Sequence, residues 1–324
     1  MQDLALVGCG YAGNQRLEEL TSPLRSSRVN VEKLVDVDAS AASDAYQQIR
    51  GSDIEGENLS IKEELSEEDY DTLDGVIVST PHEYHADQVT EALENGTHVY
   101  VEKPLATSIE DIEQIEEALN GEDTFLWTGY QKRHEDRYYT ARKLIEEGEL
   151  GDIENVSALR VKNSRGAHGE NWRADGSIAG GGQLLDIGNH MSDLIFWLTD
   201  MEPTEVHGVF DDRGMGVEIY ANVVGKLDGE TLFNLSVNAH GAPSIEQMYI
   251  AGSEASLEID KTGLTYYDSG EGREINPVAD EDSVPMDVFL RRLEGKIEIE
   301  PDIDTWKNSI LFTEQAYEEA DIDV

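Results

Sequence analysis

An aspartate and a histidine stand four residues apart in residues 180–197, GGGQLLDIGNHMSDLIFW, which have the pattern of a helix opened by a glycine turn. At this spacing the side chains of Asp186 and His190 share one helical face. The leucine, isoleucine and methionine residues around them indicate a buried helix. Two interpretations remain open: the pair is a weakly stabilising ion pair on the helix surface, or Asp186 orients His190 as a general base.

A glycine turn near the start of the chain has the composition of a phosphate-binding loop. Residues 4–7 predict a strand, residues 8–13 read GCGYAG, and a helical pattern continues to about Leu20. These glycines suit a tight turn, close approach of the backbone to a pyrophosphate, and packing of helix on strand. A second predicted strand, residues 31–35, leads to an acid at the position expected for a ribose contact. The predicted dinucleotide-binding residues are Gly8, Gly10, Tyr11, Ala12, Gly13 and Asp36.

Further strands are predicted at residues 75–79, 98–101 and 125–128, and they alternate with predicted helices. Such alternation is typical of a parallel sheet wound by crossover helices, with ligands outside the carboxyl ends of the strands. Thr80 and Lys103 both follow such ends. Residues 51–74 are polar and poorly patterned, so one short helix is predicted there and the position of its strand is left open. We therefore predict a first, doubly wound α/β domain over residues 1–128.

The composition changes in the second half of the chain. A strand is predicted over residues 153–162, and residues 206–267 have the pattern of successive strands joined by glycine-containing turns. This pattern predicts a second domain of the α+β type, residues 129–324, with a large, mostly antiparallel open sheet and helices on one face. A final helix over residues 303–320 is expected to pack back on the body of the protein.

The charge of the chain is far from balanced. It has 69 Asp and Glu residues against 24 Lys and Arg, a formal net charge of -45. Such a surface repels nucleic acid and anionic membranes, so neither is an expected partner. No apolar run reaches the roughly 18 residues of a membrane span, and there is a single cysteine, so we expect a cytoplasmic protein. The acid excess also predicts a protein from a halophile.

Seven motifs stand in one order over most of the chain: GCGYAG, LVDVD, STPHEYHADQV, VEKPLATS, GYQKRH, GELGDI and GGGQLLDIGNHMSDLIFWL. Together they resemble the glucose-fructose oxidoreductase / inositol dehydrogenase / MocA family. The resemblance implies a nicotinamide-dependent dehydrogenase of sugars, cyclitols or sugar nucleotides. It also implies a Rossmann domain and a second domain whose sheet builds a homodimer or homotetramer. No metal site is predicted.

The resemblance assigns roles to individual residues. Lys103 matches the family's active-site lysine, Asp186 its motif aspartate and His190 its catalytic histidine. Asp36 matches the residue that holds the adenosine ribose, which favours NAD over NADP. His82 stands where the family's T-P-N turn has asparagine, so two roles stay open for it, a contact with the nicotinamide ribose or a helix cap. The other predicted cofactor contacts are Ser79, Thr80, Pro81, His82, His85, Glu102, Lys103 and Arg133.

The loop over residues 163–175, NSRGAHGENWRAD, carries further predicted substrate contacts. Trp172 can stack on a sugar face, and Arg165 and Arg173 can pair with a phosphate or carboxylate. Simple packing of the tryptophan and an arginine is the alternative. Two arginines in so acidic a chain favour an anionic sugar or a sugar nucleotide. The full predicted substrate-binding set is Lys103, Arg165, Trp172, Arg173, Asp186 and His190.

Two alternative functions remain within the resemblance. Some members of the family are NAD-dependent glycosidases, and others are ligand-sensing regulators without activity, so the fold alone does not decide between them. The complete set of Lys103, Asp186 and His190 argues against a binding-only protein, because a sensor needs no proton-transfer group.

Overall fold

The computed structural model describes residues 1–119, 124–164, 171–268, 270–279, 284–298 and 300–320. The chain divides into two compact units. The first comprises Met1–Ala106, Glu110–Gly129 and Val284–Pro301, and the second comprises Thr107–Ile109, Tyr130–Ser283 and Asp302–Val324. The predicted boundary after residue 128 falls beside the main division. The sequence analysis did not anticipate that residues 284–301 would group with the first unit.

Fourteen strands and ten α-helices lie within the described residues. The strands are β1 (Gln2–Val7), β2 (Val29–Val35), β3 (Glu55–Lys62), β4 (Gly75–Val78), β5 (His98–Val101), β6 (Leu126–Thr128), β7 (Ile153–Val161), β8 (Pro203–Asp211), β9 (Tyr220–Leu227), β10 (Thr231–Asn238), β11 (Ile245–Gly252), β12 (Ser256–Asp260), β13 (Leu264–Asp268) and β14 (Glu271–Ile275). The helices are α1 (Tyr11–Leu20), α2 (Ala39–Ile49), α3 (Glu67–Tyr70), α4 (His85–Glu94), α5 (Ile109–Leu119), α6 (Asp136–Glu146), α7 (Gly176–Ala179), α8 (Asn189–Thr199), α9 (Pro285–Leu293) and α10 (Ile303–Glu319).

The first unit is built on a six-stranded sheet in the order β3-β2-β1-β4-β5-β6, and all of its strand pairs are parallel. This is the doubly wound order in which the winding reverses between β1 and β4. The central strand β4 and the second half of β1 are continuous buried apolar runs, as expected for a sheet covered on both faces. The predicted α/β class and the positions of β1, β2, β4, β5 and β6 are confirmed.

Strand β3 is the strand that the sequence left unplaced within residues 51–74. The structure has this eight-residue strand followed by the short helix α3, where one short helix was predicted. Strand β3 lies at the edge of the sheet and pairs only with β2 among the described strands. Its residues are mostly half-buried or exposed, so the segment lacks the apolar run that marks the inner strands.

Helix α9 was not predicted, and it explains why residues 284–301 belong to the first unit. Its apolar residues Met286, Phe289 and Leu290 are fully buried in the core that also contains Leu4 and Ile77. A proline at its start suits the first turn of a helix, where the missing N–H has no intrahelical acceptor anyway.

The second unit is built on an eight-stranded sheet in the order β14-β13-β12-β11-β7-β10-β9-β8. All pairs are antiparallel except β7 with β10, which confirms the predicted mostly antiparallel sheet. Alternate residues of each strand point into one core, as Phe233, Leu235 and Val237 do on β10. Helices α6, α8 and α10 pack on this face of the sheet. The last helix, predicted over residues 303–320, is α10.

The segment predicted as one α-helix after the glycine turn has two parts. Leu184–Gly188 is a π-helix, and α8 continues from Asn189. Asp186 therefore lies on the wider π turn and His190 on the first α turn. A periodic apolar pattern does not distinguish 3.6 residues per turn from a slightly larger number over five residues, which is why the sequence analysis missed the π turn.

Within the part of the chain that the structure describes, no helix is long and apolar enough to span a membrane.

Candidate active site

The glycine turn after β1 has the geometry that its sequence predicts. Gly8 has a φ of +90°, and a Cβ there would lie 2.6 Å from the backbone carbon of Ser79. A Cβ at Gly13 would lie 2.0 Å from the carbonyl oxygen of Gly8. Gly10 is exposed at the start of α1, where no atom of the described residues lies within 4 Å of a Cβ position. Two glycines are thus required by packing, while the third leaves open backbone at a helix N-terminus, which suits a phosphate.

Asp36 is held beside this turn. Its carboxylate accepts hydrogen bonds from the backbone N–H of Cys9 (2.7 Å) and of Asp38 (2.8 Å). Each carboxylate oxygen has a further lone pair, so the group can still accept bonds from hydroxyls. Tyr11 and Ala12 form the start of α1, and Tyr11 is exposed. The residues around β1 and β2 therefore fit the phosphates and ribose of a dinucleotide.

The turn after β4 contains the predicted residues Ser79 to His85. Ser79 is buried against Gly8, and the hydroxyl of Thr80 donates to the Gln88 side chain (2.6 Å). After Pro81, a short 3₁₀ turn, His82–Tyr84, leads into α4. His82 is buried, and its ring lies 5.8 Å from that of His85. The structure places these residues next to the glycine turn, at the point where the winding of the sheet reverses.

His85 is fully buried and faces two backbone carbonyls. Its Nδ1 lies 2.7 Å from the carbonyl oxygen of Pro104, and its Nε2 lies 2.9 Å from that of Thr80. Burial lowers the pKa of His85. These contacts join the turn after β4 to the turn after β5. His85 therefore holds the backbone of the two turns together. A direct contact of His85 with a cofactor stays a prediction.

Glu102 and Lys103 follow β5, at the same edge of the sheet. The Glu102 carboxylate forms an ion pair with Arg16 of α1, with 3.1 Å between Oε1 and Nε. This pair ties the helix that follows the glycine turn to the strand that ends at Lys103. Lys103 itself is partly buried. Its role, like that of Glu102 toward a cofactor, stays a prediction.

In the second unit, the helical run after the glycines is buried almost throughout. Between residues 181 and 198, the only side chains with appreciable exposure are Asp186, His190 and Trp197. An acid and an imidazole that stay accessible to solvent on a mostly buried helix suggest a function other than packing. Partial accessibility of both groups is what proton transfer to a bound molecule requires.

Arg173 and Trp172 lie close to Asp186. The Nε atom of Arg173 is 3.4 Å from Oδ2 of Asp186, and its guanidinium carbon is 4.2 Å from the centre of the Trp172 ring. Both side chains are partly exposed. The structure therefore brings Arg173 to the predicted catalytic aspartate and places the Trp172 ring against Arg173. Arg165 lies outside the described residues.

Arg133, a predicted cofactor contact, is engaged elsewhere in the second unit. Its guanidinium binds the fully buried carboxylate of Asp193 through Nε at 3.1 and 2.9 Å, and NH1 lies 2.5 Å from Asp302. It also lies over the Tyr130 and Trp306 rings. Burial disfavours the charge, but the two carboxylates outweigh it and raise the pKa of Arg133. These contacts give Arg133 a structural role, and cofactor binding stays a prediction.

The sequence analysis missed a buried carboxylate in β11. Glu246 is 2% exposed and binds three cations, Lys132 at 2.6 Å, Arg160 at 2.8 Å and Arg137 at 2.5 Å. The sequence pattern of the strand, in which every second residue faces the core, could have indicated that Glu246 is buried. Glu246 occupies the inward position that Met248 and Ile250 also occupy.

Comparisons with known proteins cover both halves of the chain. Residues 3–130 match the model of the oxidoreductase family with an NAD-binding Rossmann fold, GFO_IDH_MocA, and residues 138–258 match the GFO/IDH/MocA C-terminal domain.

Within the described residues, no group of three or more His, Cys, Asp and Glu side chains is arranged to hold a metal ion.

Individual relatives are more distant. A 1,5-anhydro-D-fructose reductase of Ensifer adhaerens is 33% identical over 45% of this chain and 44% of its own length. A D-xylose 1-dehydrogenase [NADP(+)] of Haloarcula marismortui is 26% identical over 49% of this chain and 46% of its own length. The alignments thus span less than half of each of these two relatives.

The crystal structure of an aldose-aldose oxidoreductase from Caulobacter crescentus has the same fold, with a TM-score of 0.82 over 99% of this chain and 97% of that one, at 22% identity. Both halves of the chain match models of one family. The chain belongs to the GFO/IDH/MocA family of oxidoreductases.

Proposed function

We propose that the chain is an NAD-dependent dehydrogenase that oxidises a hydroxyl group of a sugar, cyclitol or sugar nucleotide, or reduces the corresponding ketone. The observation that carries the proposal is the partial exposure of Asp186 and His190 on a helical run whose other side chains, apart from Trp197, are buried. Two relatives whose names describe a sugar reductase and a sugar dehydrogenase support the substrate class.

The residues of the first unit would hold the cofactor. The open backbone at Gly10 suits the pyrophosphate, and the Asp36 carboxylate suits the hydroxyls of the adenosine ribose. A 2′-phosphate would meet like charge at Asp36 and Asp38, which favours NAD over NADP. When bound, the dinucleotide supplies the hydride acceptor.

The chain's own residues would move the proton. His190 takes the proton of the substrate hydroxyl as a general base, and Asp186 orients the imidazole and favours its charged form. The Lys103 ammonium stabilises the negative charge that develops on the substrate oxygen and helps to relay the proton.

Arg173 is the substrate contact that the structure supports most directly. Nε of its guanidinium lies 3.4 Å from Oδ2 of Asp186, and a guanidinium has five N–H donors in a planar fork. The remaining donors suit a phosphate or carboxylate, and the Trp172 ring holds the guanidinium in place. This arrangement favours an anionic sugar or a sugar nucleotide.

A homodimer or homotetramer through the second sheet remains part of the proposal, and the exposed Val209, Val224 and Leu232 on that sheet support it.

A panel of sugars, cyclitols and sugar nucleotides, offered with NAD and separately with NADP, tests the function and the cofactor. We expect NADH to accumulate with at least one compound, and calorimetry to show tighter binding of NAD than of NADP. Asp36→Asn should narrow that preference, because it removes the like charge that faces a 2′-phosphate. Equal or tighter binding of NADP by the unmodified protein would rule out the NAD assignment.

The alternative functions give different results in the same panel. A glycosidase of the family would cleave a glycoside without net formation of NADH, because the hydride is returned. A ligand-sensing regulator would bind a sugar and NAD without any turnover. Turnover with net NADH therefore separates the dehydrogenase from both.

The net charge of -45 supports the further proposal that this is a halophile's protein. Repulsion among carboxylates destabilises a compact chain. The screening length is roughly 30 Å at 0.01 M salt and about 3 Å at 1 M, so only concentrated salt removes this repulsion. The melting midpoint should climb steeply in KCl from about 0.1 to 3 M, a range that takes the screening length below a few ångströms. A non-ionic osmolyte serves as control, since it favours compact states without screening. A flat or falling midpoint in KCl contradicts the proposal.

A further inference from the structure

Glu218 is a buried carboxylate that the mechanism above does not use. It lies just before β9 and is 5% exposed. Its Oε1 accepts hydrogen bonds from the backbone N–H of Leu184 (2.9 Å) and from the hydroxyl of Tyr317 (2.7 Å). Its own carbonyl oxygen accepts the backbone N–H of Gln183 (2.9 Å). One residue thus satisfies two successive N–H groups at the start of the π-helix.

The glycines of the preceding turn are the reason that these groups can approach. A Cβ at Gly182 would lie 2.2 Å from Oε2 of Glu218, and a Cβ at Gly181 would lie 2.6 Å from the hydroxyl of Tyr317. That hydroxyl also accepts the backbone N–H of Gly182 (3.2 Å). Three consecutive N–H groups of the turn, at residues 182, 183 and 184, therefore end on Glu218 and Tyr317.

Such contacts replace the cap that this helix lacks in its own sequence. The first N–H groups of a helix have no intrahelical acceptor, and a carboxylate near them is stabilising. Gln183, at the cap position, makes no side-chain capping bond within the described residues. Because this cap comes from another segment of the chain, it fixes both the position and the rotation of the turn that carries Asp186. Asp186 lies two residues after Leu184.

We propose that Glu218 and Tyr317 are positioning residues of the active site, which act by fixing the turn that presents Asp186 and His190. The inference rests on the proposed function. A displacement of about 1 Å in a catalytic group can lower the rate about 100-fold. The need to hold Asp186 and His190 this accurately explains why two buried polar side chains bind one turn.

The environment of Glu218 makes its effect depend on pH. Burial raises the pKa of Glu218 to about 7, although Tyr317 and the Leu184 N–H oppose this. Tyr317 on α10 is the titratable group that faces it, and burial and Glu218 raise the pKa of Tyr317, so the phenol stays neutral. Because the folded-state pKa of Glu218 exceeds its unfolded value of 4.5, its contribution to stability is fully present below pH 4.5 and is lost as the pH rises through about 7.

Two variants and one control test the inference. Tyr317→Phe removes the hydroxyl that links Gly182 to Glu218, and Glu218→Gln keeps an acceptor oxygen but removes the charge. Glu230→Gln, an exposed acid in the turn before β10, is the matched control. Hydrogen exchange of the peptide that contains residues 181–186 gives a readout that needs no substrate, and kcat and KM give the catalytic one.

For Tyr317→Phe we expect exchange in that peptide to accelerate about tenfold or more, as for the loss of a hydrogen bond to a charged group. The kcat value should fall about 10- to 100-fold through misplacement of the catalytic groups, with an unchanged KM for NAD. For Glu218→Gln, the melting midpoint relative to the unmodified protein should rise as the pH increases from 5 to 8, because the variant lacks the buried carboxyl whose raised pKa makes the unmodified protein lose stability over this range. The fall in kcat at an unchanged KM for NAD is the result that a merely structural contact would not produce. Glu230→Gln should match the unmodified protein throughout.

Unchanged exchange in both variants overturns the inference, whether or not any sugar is turned over. Accelerated exchange with full kcat also overturns it, since the turn would then move without consequence for catalysis. If the unmodified protein oxidises no compound while exchange accelerates in the variants, the proposed function fails and the capping contact stands.

Discussion

His190→Ala is expected to lower kcat on the best substrate about 10²–10⁴-fold, the range that general-base catalysis contributes. This corresponds to about 3–5 kcal/mol in the barrier, since each tenfold is about 1.4 kcal/mol. The affinity for NAD should stay unchanged, because the predicted dinucleotide-binding residues around Gly8 and Asp36 belong to the first unit. Steady-state kinetics together with a fluorescence titration of NADH separate the two effects.

The chain offers a matched control for this variant. His207 on β8 is an exposed histidine whose ring nitrogens lie 3.3 Å from Glu205 and Glu319. His207→Ala should leave kcat unchanged.

Lys103→Met should lose most turnover while binding NAD normally, because it removes only the charge that stabilises the developing alkoxide. If His190→Ala keeps near-full kcat, the base assignment is wrong and Lys103 alone would have to move the proton.

The dinucleotide-binding half of the site could be predicted because its chemistry is local in sequence. Gly8 needs a positive φ and Gly13 has no room for a Cβ, so the motif records geometry directly. Asp36 follows β2 at once, and strand ends in a parallel sheet meet at one edge. The substrate half stays a prediction that rests on the family motif, since periodicity says nothing about which polar groups on a helix keep their exposure.

Elements that depend on distant partners were not predictable. Strand β3 has little apolar character of its own and is a strand because β2 offers it an edge to pair with. Helix α9 is short, and nothing local indicates that Phe289 packs with Tyr100 and Phe125 of the first unit. In both cases tertiary contacts decide a structure that propensity leaves open.

Buried acids were the hardest residues to recognise. The chain has 69 acidic residues, so Glu218 and Glu246 look like members of a solvated surface. Glu246 could have been suspected from strand alternation, but Glu218 lies in an irregular segment before β9 and has no such pattern. Only the fold brings it to the glycine turn at residues 180–182, about 35 residues earlier in the chain.

The largest expected effect on stability is that of Asp193→Asn. Asp193 is fully buried, and its carboxylate binds the Arg133 guanidinium through both oxygens. The amide keeps the shape but loses the charge and turns N–H donors toward a buried cation. Removing one partner of a buried ion pair typically costs about 3–5 kcal/mol, because the other charge is left without compensation. Urea unfolding in concentrated KCl, followed by the fluorescence of the tryptophans, three of which belong to the second unit, measures the loss.

Asp200→Asn is the matched control for that measurement. Asp200 ends the same helix, pairs with Arg142 at 2.6 Å and is 67% exposed, so the substitution removes the same charge from the same element. Exposed pairs contribute little, and no measurable change is expected. Equal small shifts in both variants would mean that Asp302 and the Tyr130 and Trp306 rings suffice to hold Arg133. A large shift in Asp193→Asn alone, with NAD affinity retained, would assign Arg133 to the stability of the second unit rather than to cofactor binding.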